Sequence, residues 1–178
     1  NEADTSSIAS DVIRSLALDE SGKIWIGTEA GLSLYNPELD IFHNYSCVCE
    51  GKEQQVLDVV CLDKGNLLVA TDAGILLFDS RRGRFDRTQI PADLQKIRPR
   101  TLARYGDEVY IGSYQGLFAC SLEDGSVRAL FTGDYSLPLI LAILKETDTR
   151  LWVGTEGDGL YCLNPVTGEC RKYKDGKG

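Results

Sequence analysis

The sequence predicts an all-β fold of four repeated units, and two observations carry the prediction: a strand motif returns at one period, and a glycine follows it each time. Ile24-Trp25-Ile26-Gly27-Thr28 returns as Leu67-Leu68-Val69-Ala70-Thr71, as Val109-Tyr110-Ile111-Gly112-Ser113 and as Leu151-Trp152-Val153-Gly154-Thr155. The small residue of the motif falls at Gly27, Ala70, Gly112 and Gly154, which gives spacings of 43, 42 and 42 residues. Behind it come Gly31-Leu32, Gly74-Ile75, Gly116-Leu117 and Gly159-Leu160. Two features locked to one period specify a repeat architecture.

Each unit reads as four short antiparallel strands with no helical period of useful length. In the first unit the strands are expected at 12–18, 23–27, 32–35 and 41–45. The turns carry their own chemistry: Asp19-Glu20-Ser21-Gly22 and Asn36-Pro37-Glu38-Leu39-Asp40 supply side-chain caps, a fixed φ at proline and a positive φ at glycine. Asn164-Pro165-Val166-Thr167-Gly168 repeats the second turn in the last unit. Four-stranded units of about 42 residues are the signature of a β-propeller blade. Blades are therefore expected at about 10–45, 55–87, 99–131 and 138–173, within a single segment over 1–178 that forms part of a larger propeller. Ile24, Trp25 and Ile26 leave the second strand no polar face, so neighbouring blades must cover both sides. Trp25 and Gly27 share one face, as do Trp152 and Gly154, and the small residues read as packing devices where the next blade comes close.

Composition narrows the function. A formal net charge of −8 and a pI near 4.7 argue against nucleic acid, whose binding needs clustered Lys and Arg. Anionic membrane surfaces are disfavoured for the same reason. The longest apolar stretch, Leu137 to Leu144, is strand-sized and too short to span a bilayer, so no membrane contact by this segment is expected. The chain begins Asn1-Glu2-Ala3-Asp4 without Met, and a leader removed by processing or by choice of boundaries is expected. Cys47 and Cys49 fall in a loop, whereas Cys61, Cys120, Cys162 and Cys170 fall in apolar strand patterns and read as small buried hydrophobes. One short-spaced cysteine pair and one histidine do not make a zinc site. No metal and no cofactor is expected.

The segment Asp19-Glu20-Ser21-Gly22-Lys23-Ile24-Trp25-Ile26-Gly27-Thr28-Glu29-Ala30-Gly31-Leu32 resembles a two-component regulator propeller repeat. Leu151-Trp152-Val153-Gly154-Thr155-Glu156-Gly157-Asp158-Gly159-Leu160 resembles it too, with one residue inserted. The middle units depart from the pattern, since Leu68 and Tyr110 replace the tryptophan and Ala70 and Ser113 replace a glycine and a threonine. The pattern is neither the WD type nor kelch. The resemblance implies the periplasmic sensor region of a hybrid two-component regulator, in which such repeats stand in tandem and many receptors sense oligosaccharides. It implies partners as well: the remaining blades of the parent receptor, and the immunoglobulin-like, membrane, kinase and DNA-binding parts that this chain does not contain.

In a propeller the loops from second to third strand, and from fourth strand to the next blade, gather on one rim where ligands commonly bind. The first kind carries Glu29, Asp72, Tyr114-Gln115 and Glu156-Gly157-Asp158; the second spans 46–55, 87–98 and 132–137. Sugars need planar hydrogen-bonding groups beside an aromatic face, so Glu29, Asp72, Tyr114, Gln115, Tyr135 and Glu156 are the candidate ligand residues. The alternative at each is a solvated turn residue. Trp25 and Trp152 read as core, His43 as an exposed edge residue, and Arg81-Arg82-Gly83-Arg84 as a hairpin tip.

No catalytic constellation is visible, because one histidine leaves little room for a nucleophile and its base. A pair of carboxylates brought together in space remains the enzymatic alternative. The leading reading is therefore a ligand-sensing receptor segment, for oligosaccharides, that is not an enzyme. The second is an interaction scaffold that dimerises the receptor without binding a small molecule. Flat apolar faces on the first and last blades would drive self-association.

Overall fold

The computed structural model describes residues 6–131 and 139–176. The fold is all-β, and its sheets are antiparallel meanders. Blade 1 is β1 (Ile13–Leu18), β2 (Ile24–Thr28), β3 (Gly31–Asn36) and β4 (Ile41–Tyr45). A short ladder of β5 (Val48–Cys49) and β6 (Lys52–Glu53) leads into blade 2: β7 (Val56–Cys61), β8 (Asn66–Thr71), β9 (Gly74–Asp79) and β10 (Arg84–Asp86). Blade 3 is β11 (Pro99–Tyr105), β12 (Glu108–Ser113), β13 (Gly116–Ser121) and β14 (Val127–Phe131). Blade 4 is β15 (Ile140–Thr147), β16 (Arg150–Thr155), β17 (Leu160–Leu163) and β18 (Cys170–Tyr173). The chain divides into two compact units, Asn1–Ile90 and Pro91–Gly178, each holding two blades.

The repeat extends to register. Every first strand is bulged at the same point, between Ile13 and Ser15, Val56 and Asp58, Pro99 and Thr101, and Ile140 and Ala142. Every turn between third and fourth strands opens on a residue whose side chain caps the backbone. Asn36 Oδ1 accepts from the Glu38 amide at 3.0 Å, Asp79 Oδ1 from Arg81 at 3.0 Å, and Asn164 Oδ1 from Val166 at 2.9 Å, while Ser121 Oγ accepts from Glu123 at 3.3 Å. Such Asx and Ser turns hold a tight hairpin without an apolar contact. At the hairpin tip of blade 2, Arg82 lies 3.4 Å from Asp79.

Among the described residues, each unit holds a core cluster built from the same register positions. In the first unit Trp25 and Leu32 of blade 1 pack against Val56, Leu67, Val69, Leu76 and Phe78 of blade 2. In the second, Tyr110 and Leu117 of blade 3 pack against Ile140, Leu151, Val153, Tyr161 and Leu163 of blade 4. The strand pairings make these lists equivalent member by member: Val56 and Ile140 each stand opposite the threonine that ends the second strand, Thr71 and Thr155. Phe78 stands edge-on to Trp25, 5.5 Å between centroids, and Tyr45 packs 4.9 Å from Phe78.

Close approach explains the small residues. A Cβ on Gly27 would lie 2.8 Å from Val56 Cγ1 and 2.6 Å from Ser15 Oγ; one on Gly112 would lie 2.5 Å from Ile140 Cγ2. Neither glycine has a left-handed backbone, so the requirement is for space. Gly154 holds the equivalent place in blade 4, yet its nearest neighbour would be Ala142 Cβ at 3.6 Å, an ordinary contact.

Several expectations need correction. Cys170 is exposed, and Cys61 and Cys162 are only partly covered, whereas Cys47, expected in a loop, is buried in the first core. Burial pushes the Cys47 thiol up to about 12, with Cys49 adding to the shift. All six cysteines are free. Trp25 is buried, but Trp152 is only half-buried, because the face of blade 4 on which it lies is open. The segment 87–98 is more than a rim loop: Ile90, Leu94 and Ile97 are buried and Leu94–Lys96 forms a 3-10 turn. The spacing of those three residues, one face of a helix, was the signal for it.

Gly27→Ala and Gly112→Ala are each expected to cost about 1–3 kcal/mol through overpacking. Gly154→Ala is expected to stay within about 0.5 kcal/mol of the parent. Urea denaturation of the three variants measures the contrast.

Candidate functional site

The turns between second and third strands are built alike in all four blades. A hydroxyl closes each: Thr28 Oγ1 donates to the Gly31 carbonyl at 3.0 Å, Thr71 to Gly74 at 2.8 Å, Ser113 to Gly116 at 2.8 Å and Thr155 to Gly159 at 2.7 Å. Gly31, Gly74 and Gly116 sit at φ of 122°, 118° and 126°, outside the range of residues with a side chain. The hydroxyls of Thr28, Thr71 and Ser113 are on fully buried residues. The clasp was not anticipated from the sequence, although the recurrence of Thr or Ser one residue after the small position was its signal.

The clasp fixes where the candidate ligand residues stand. Glu29, Asp72, Tyr114, Gln115 and Glu156 all occupy the turn itself and are exposed, Tyr114 by 59%. The backbone beneath them is tied to the strand entry: the Glu29 amide donates to the Val12 carbonyl at 3.1 Å, and the Glu156 amide to Leu139 at 2.8 Å. Gln115 is turned aside. Its Oε1 accepts from the Arg98 amide at 3.1 Å and its Nε2 donates to the Lys96 carbonyl at 3.4 Å, so it holds the 87–98 segment against its own turn. Tyr114 and Gln115 are adjacent, while the carboxylates of Glu29, Asp72 and Glu156 stand on separate turns. Tyr135 lies outside the described residues, as does most of its loop.

The inserted residue in the last turn has a visible effect. Asp158 accepts from the Tyr161 hydroxyl and from Lys172 Nζ at 2.6 Å, with Lys174 Nζ at 3.2 Å. Lys172, then Tyr161, hold the Asp158 carboxyl well below the usual carboxylate range. Desolvation, then Asp158, pushes the Tyr161 phenol up to about 12. The cluster thus pairs the Asp158 carboxylate with a phenol and two lysines.

At the other end of the strands a second device recurs. In blade 1 Trp25 Nε1 donates to Asp19 Oδ2 at 3.1 Å, and Asp19 Oδ1 accepts from the Ser21 and Lys23 amides at 2.9 and 3.0 Å. In blade 4 Trp152 Nε1 donates to Glu146 Oε2 at 2.7 Å. In blade 3 the Tyr110 hydroxyl donates to Glu108 at 2.7 Å, with Arg128 at 2.6 Å on the other oxygen. A carboxylate six residues before each tryptophan was the available signal. In the first unit this clasp walls a cleft of about 150 Å³ that also includes Glu20, Cys61, Lys64 and Asn66. Among the described residues no cluster of three or more His, Cys, Asp or Glu is placed to hold a metal ion.

Burial raises the Asp19 pKa, but bonds from Ser21, Lys23 and Trp25 outweigh it and leave a net lowering from 3.8. Its contribution is therefore complete above pH 3.8 and is lost as pH falls through the lowered folded value. Asp19→Ala is expected to cost about 1–2 kcal/mol at neutral pH. The gap to the parent should close as Asp19 protonates, which acid titration of unfolding free energy for both proteins measures.

Residues 7–30 match the family described as two component regulator propeller. The extracellular domain of BT4673 from B. thetaiotaomicron, described as a hybrid two component system, superposes with a TM-score of 0.76 and 26% identity over 98% of this chain and 22% of that one. The corresponding domain of BT3049 from the same organism gives 0.75 and 26%, over 96% of this chain and 24% of that one. The chain thus spans under a quarter of the length of either. Virginiamycin B lyase from Staphylococcus aureus, at 14% identity and a TM-score of 0.68 over 99% of this chain and 58% of that one, shares the fold alone. No curated protein sequence matches the chain. Among the described residues no helix is long and apolar enough to cross a membrane. The chain carries the two-component regulator propeller repeat, on blades like those in the extracellular domains of hybrid two-component systems.

Proposed function

We propose that this chain is a ligand-sensing segment of the periplasmic region of a hybrid two-component receptor, that its ligand is an oligosaccharide, and that it is not catalytic. The observation that carries the reading is the match to two such extracellular domains over nearly the whole chain, joined to a repeat of the regulator type. The rim supports it physically. Clasped turns present Tyr114 and several carboxylates on a backbone that needs no ordering when a ligand arrives, which lowers the cost of binding. An exposed tyrosine ring offers the apolar face of a sugar a stacking surface, and carboxylates accept from its hydroxyls. A ligand bridging rim turns from more than one blade would favour one packing of blades over another, and that difference is the signal a receptor can transmit.

A second reading, an interaction scaffold without a small molecule, is favoured by one observation: Leu16, Leu18, Leu144 and Leu160 are exposed on blade faces. The two are separated by thermal melting of the chain against a panel of neutral and acidic oligosaccharides. At hundredfold excess over the dissociation constant the sensing reading predicts a rise of roughly 5–10 °C with one glycan class. Tyr114→Ala should abolish the rise and leave the unliganded melting temperature unchanged. No rise with any glycan would move the conclusion to the scaffold.

A further inference from the structure

The two units close their blade interfaces differently at the edge that carries the aromatic–carboxylate clasps. Cys61 pairs with Leu67 in blade 2, and Lys145 pairs with Leu151 in blade 4, so the two residues hold one register position near the end of a first strand. Both lie on the face turned toward the preceding blade. Cys61 packs against the Trp25 core, and Lys145 shares a strand face with Ile143, which packs against the Tyr110 core.

In the second unit the lysine fills this position. Its side chain is only 18% exposed, and its Nζ donates to Asp148 Oδ1 at 2.9 Å. Its charge also reaches the carboxylate that clasps the ring of Tyr110. Burial raises the Glu108 pKa, but bonds from Arg128 and Tyr110, with the charges of Arg128 and Lys145, outweigh it and leave a net lowering. In the first unit the side chain stops at Cys61 Sγ, well short of where a lysine ammonium would reach, and the cleft of about 150 Å³ lies there, bordered by Asp19, Glu20, Trp25, Cys61, Lys64 and Leu67. Asp19 and Glu20 against Lys64 give these walls a net negative charge. Asp19 forms no ion pair among the described residues, whereas Glu108 has Arg128 at 2.6 Å. Ser21 and Lys23 donate to Asp19 Oδ1, and Trp25 Nε1 to Oδ2 at 3.1 Å, which leaves Oδ2 a position for a second donor.

We propose that the cleft between blades 1 and 2 is a binding site for a small aliphatic amine, whose ammonium stands to Asp19 as that of Lys145 stands to Glu108. The methylenes of such a ligand meet Trp25, Cys61 and Leu67, as the stem of Lys145 is covered between blades 3 and 4. An ammonium donating to a carboxylate makes a charge-assisted bond, roughly twice as strong as a neutral one, so the site discriminates against an alcohol of the same shape. The cleft is well below the roughly 300 Å³ of a drug-sized pocket, which limits the occupant to a chain of a few carbons. It lies within one unit, on the edge opposite the rim turns. The inference rests on the comparison of the two units and not on sugar binding, so a negative glycan melt leaves it standing.

Titration with n-butylammonium chloride at constant ionic strength, followed by backbone amide chemical shifts, tests it, with n-butanol as the neutral probe. The shifts should saturate and centre on residues 19–25 and 61–67, and n-butanol should bind about tenfold more weakly or worse. Cys61→Lys supplies the ammonium from the chain itself and should abolish the saturable shifts. Asp19→Asn keeps an acceptor for Trp25 but removes the charge, and should weaken n-butylammonium about tenfold or more. Should Cys61→Lys alter the fold, Asp19→Asn decides the matter. No saturable shift with n-butylammonium, shifts centred elsewhere, n-butanol binding as tightly, or undiminished binding by a folded Asp19→Asn overturns the proposal.

Discussion

The structure depends on one contact made between consecutive blades: an aliphatic residue at the start of a first strand enters the space left by a residue with no side chain in the blade before it. Val56 over Gly27 and Ile140 over Gly112 are the two instances within the units. An antiparallel sheet of four short strands buries too little by itself to be stable. Stacking makes it so, because each sheet then covers its neighbour, and the small position lets the two sheets approach until Trp25 or Tyr110 is sealed from water. The bulge at the head of every first strand belongs to the same device, since it bends the strand where the aliphatic residue enters.

Everything nearer the surface is arranged around that contact. On one edge, buried Thr and Ser hydroxyls close the turns that carry the exposed rim residues; on the other, carboxylates hold the indole and phenol groups in line with the core. Neither device adds much apolar burial. Both satisfy polar groups at the margins of a tightly packed interior, where an unpaired donor or acceptor is costly. The turns on such a base have a tied backbone and carry exposed side chains at Glu29, Asp72, Tyr114 and Glu156. That combination lets turn sequences vary while the blades stay the same.

The blades were legible because their period and strand composition are properties of local sequence. The first-unit strands lie within about a residue of where the pattern placed them. Burial was less legible, since it depends on what lies across the sheet. Trp25 and Trp152 sit in the same motif, but Trp25 is buried against residues of blade 2 whereas Trp152 is half-buried. Cys170 sits in a strand flanked by Glu169, Arg171 and Lys172 and is exposed; Cys47 follows the last strand of blade 1 and is buried as a member of the first-unit core that includes Trp25 and Phe78. Glu29, Asp72, Tyr114, Gln115 and Glu156 lie between second and third strands, but that Gln115 is committed to the 87–98 segment, and Asp158 to Tyr161 and Lys172, follows from tertiary neighbours that no spacing reveals.

A double-mutant cycle between Gly27→Ala and Val56→Ala tests the central contact most directly. If Val56 fills the space of the missing side chain, trimming it makes room for the new methyl group. The two losses in unfolding free energy should then be non-additive by about 1 kcal/mol or more, with the double variant more stable than the sum predicts. Additive losses would contradict this, and would mean that the small position does not serve blade stacking.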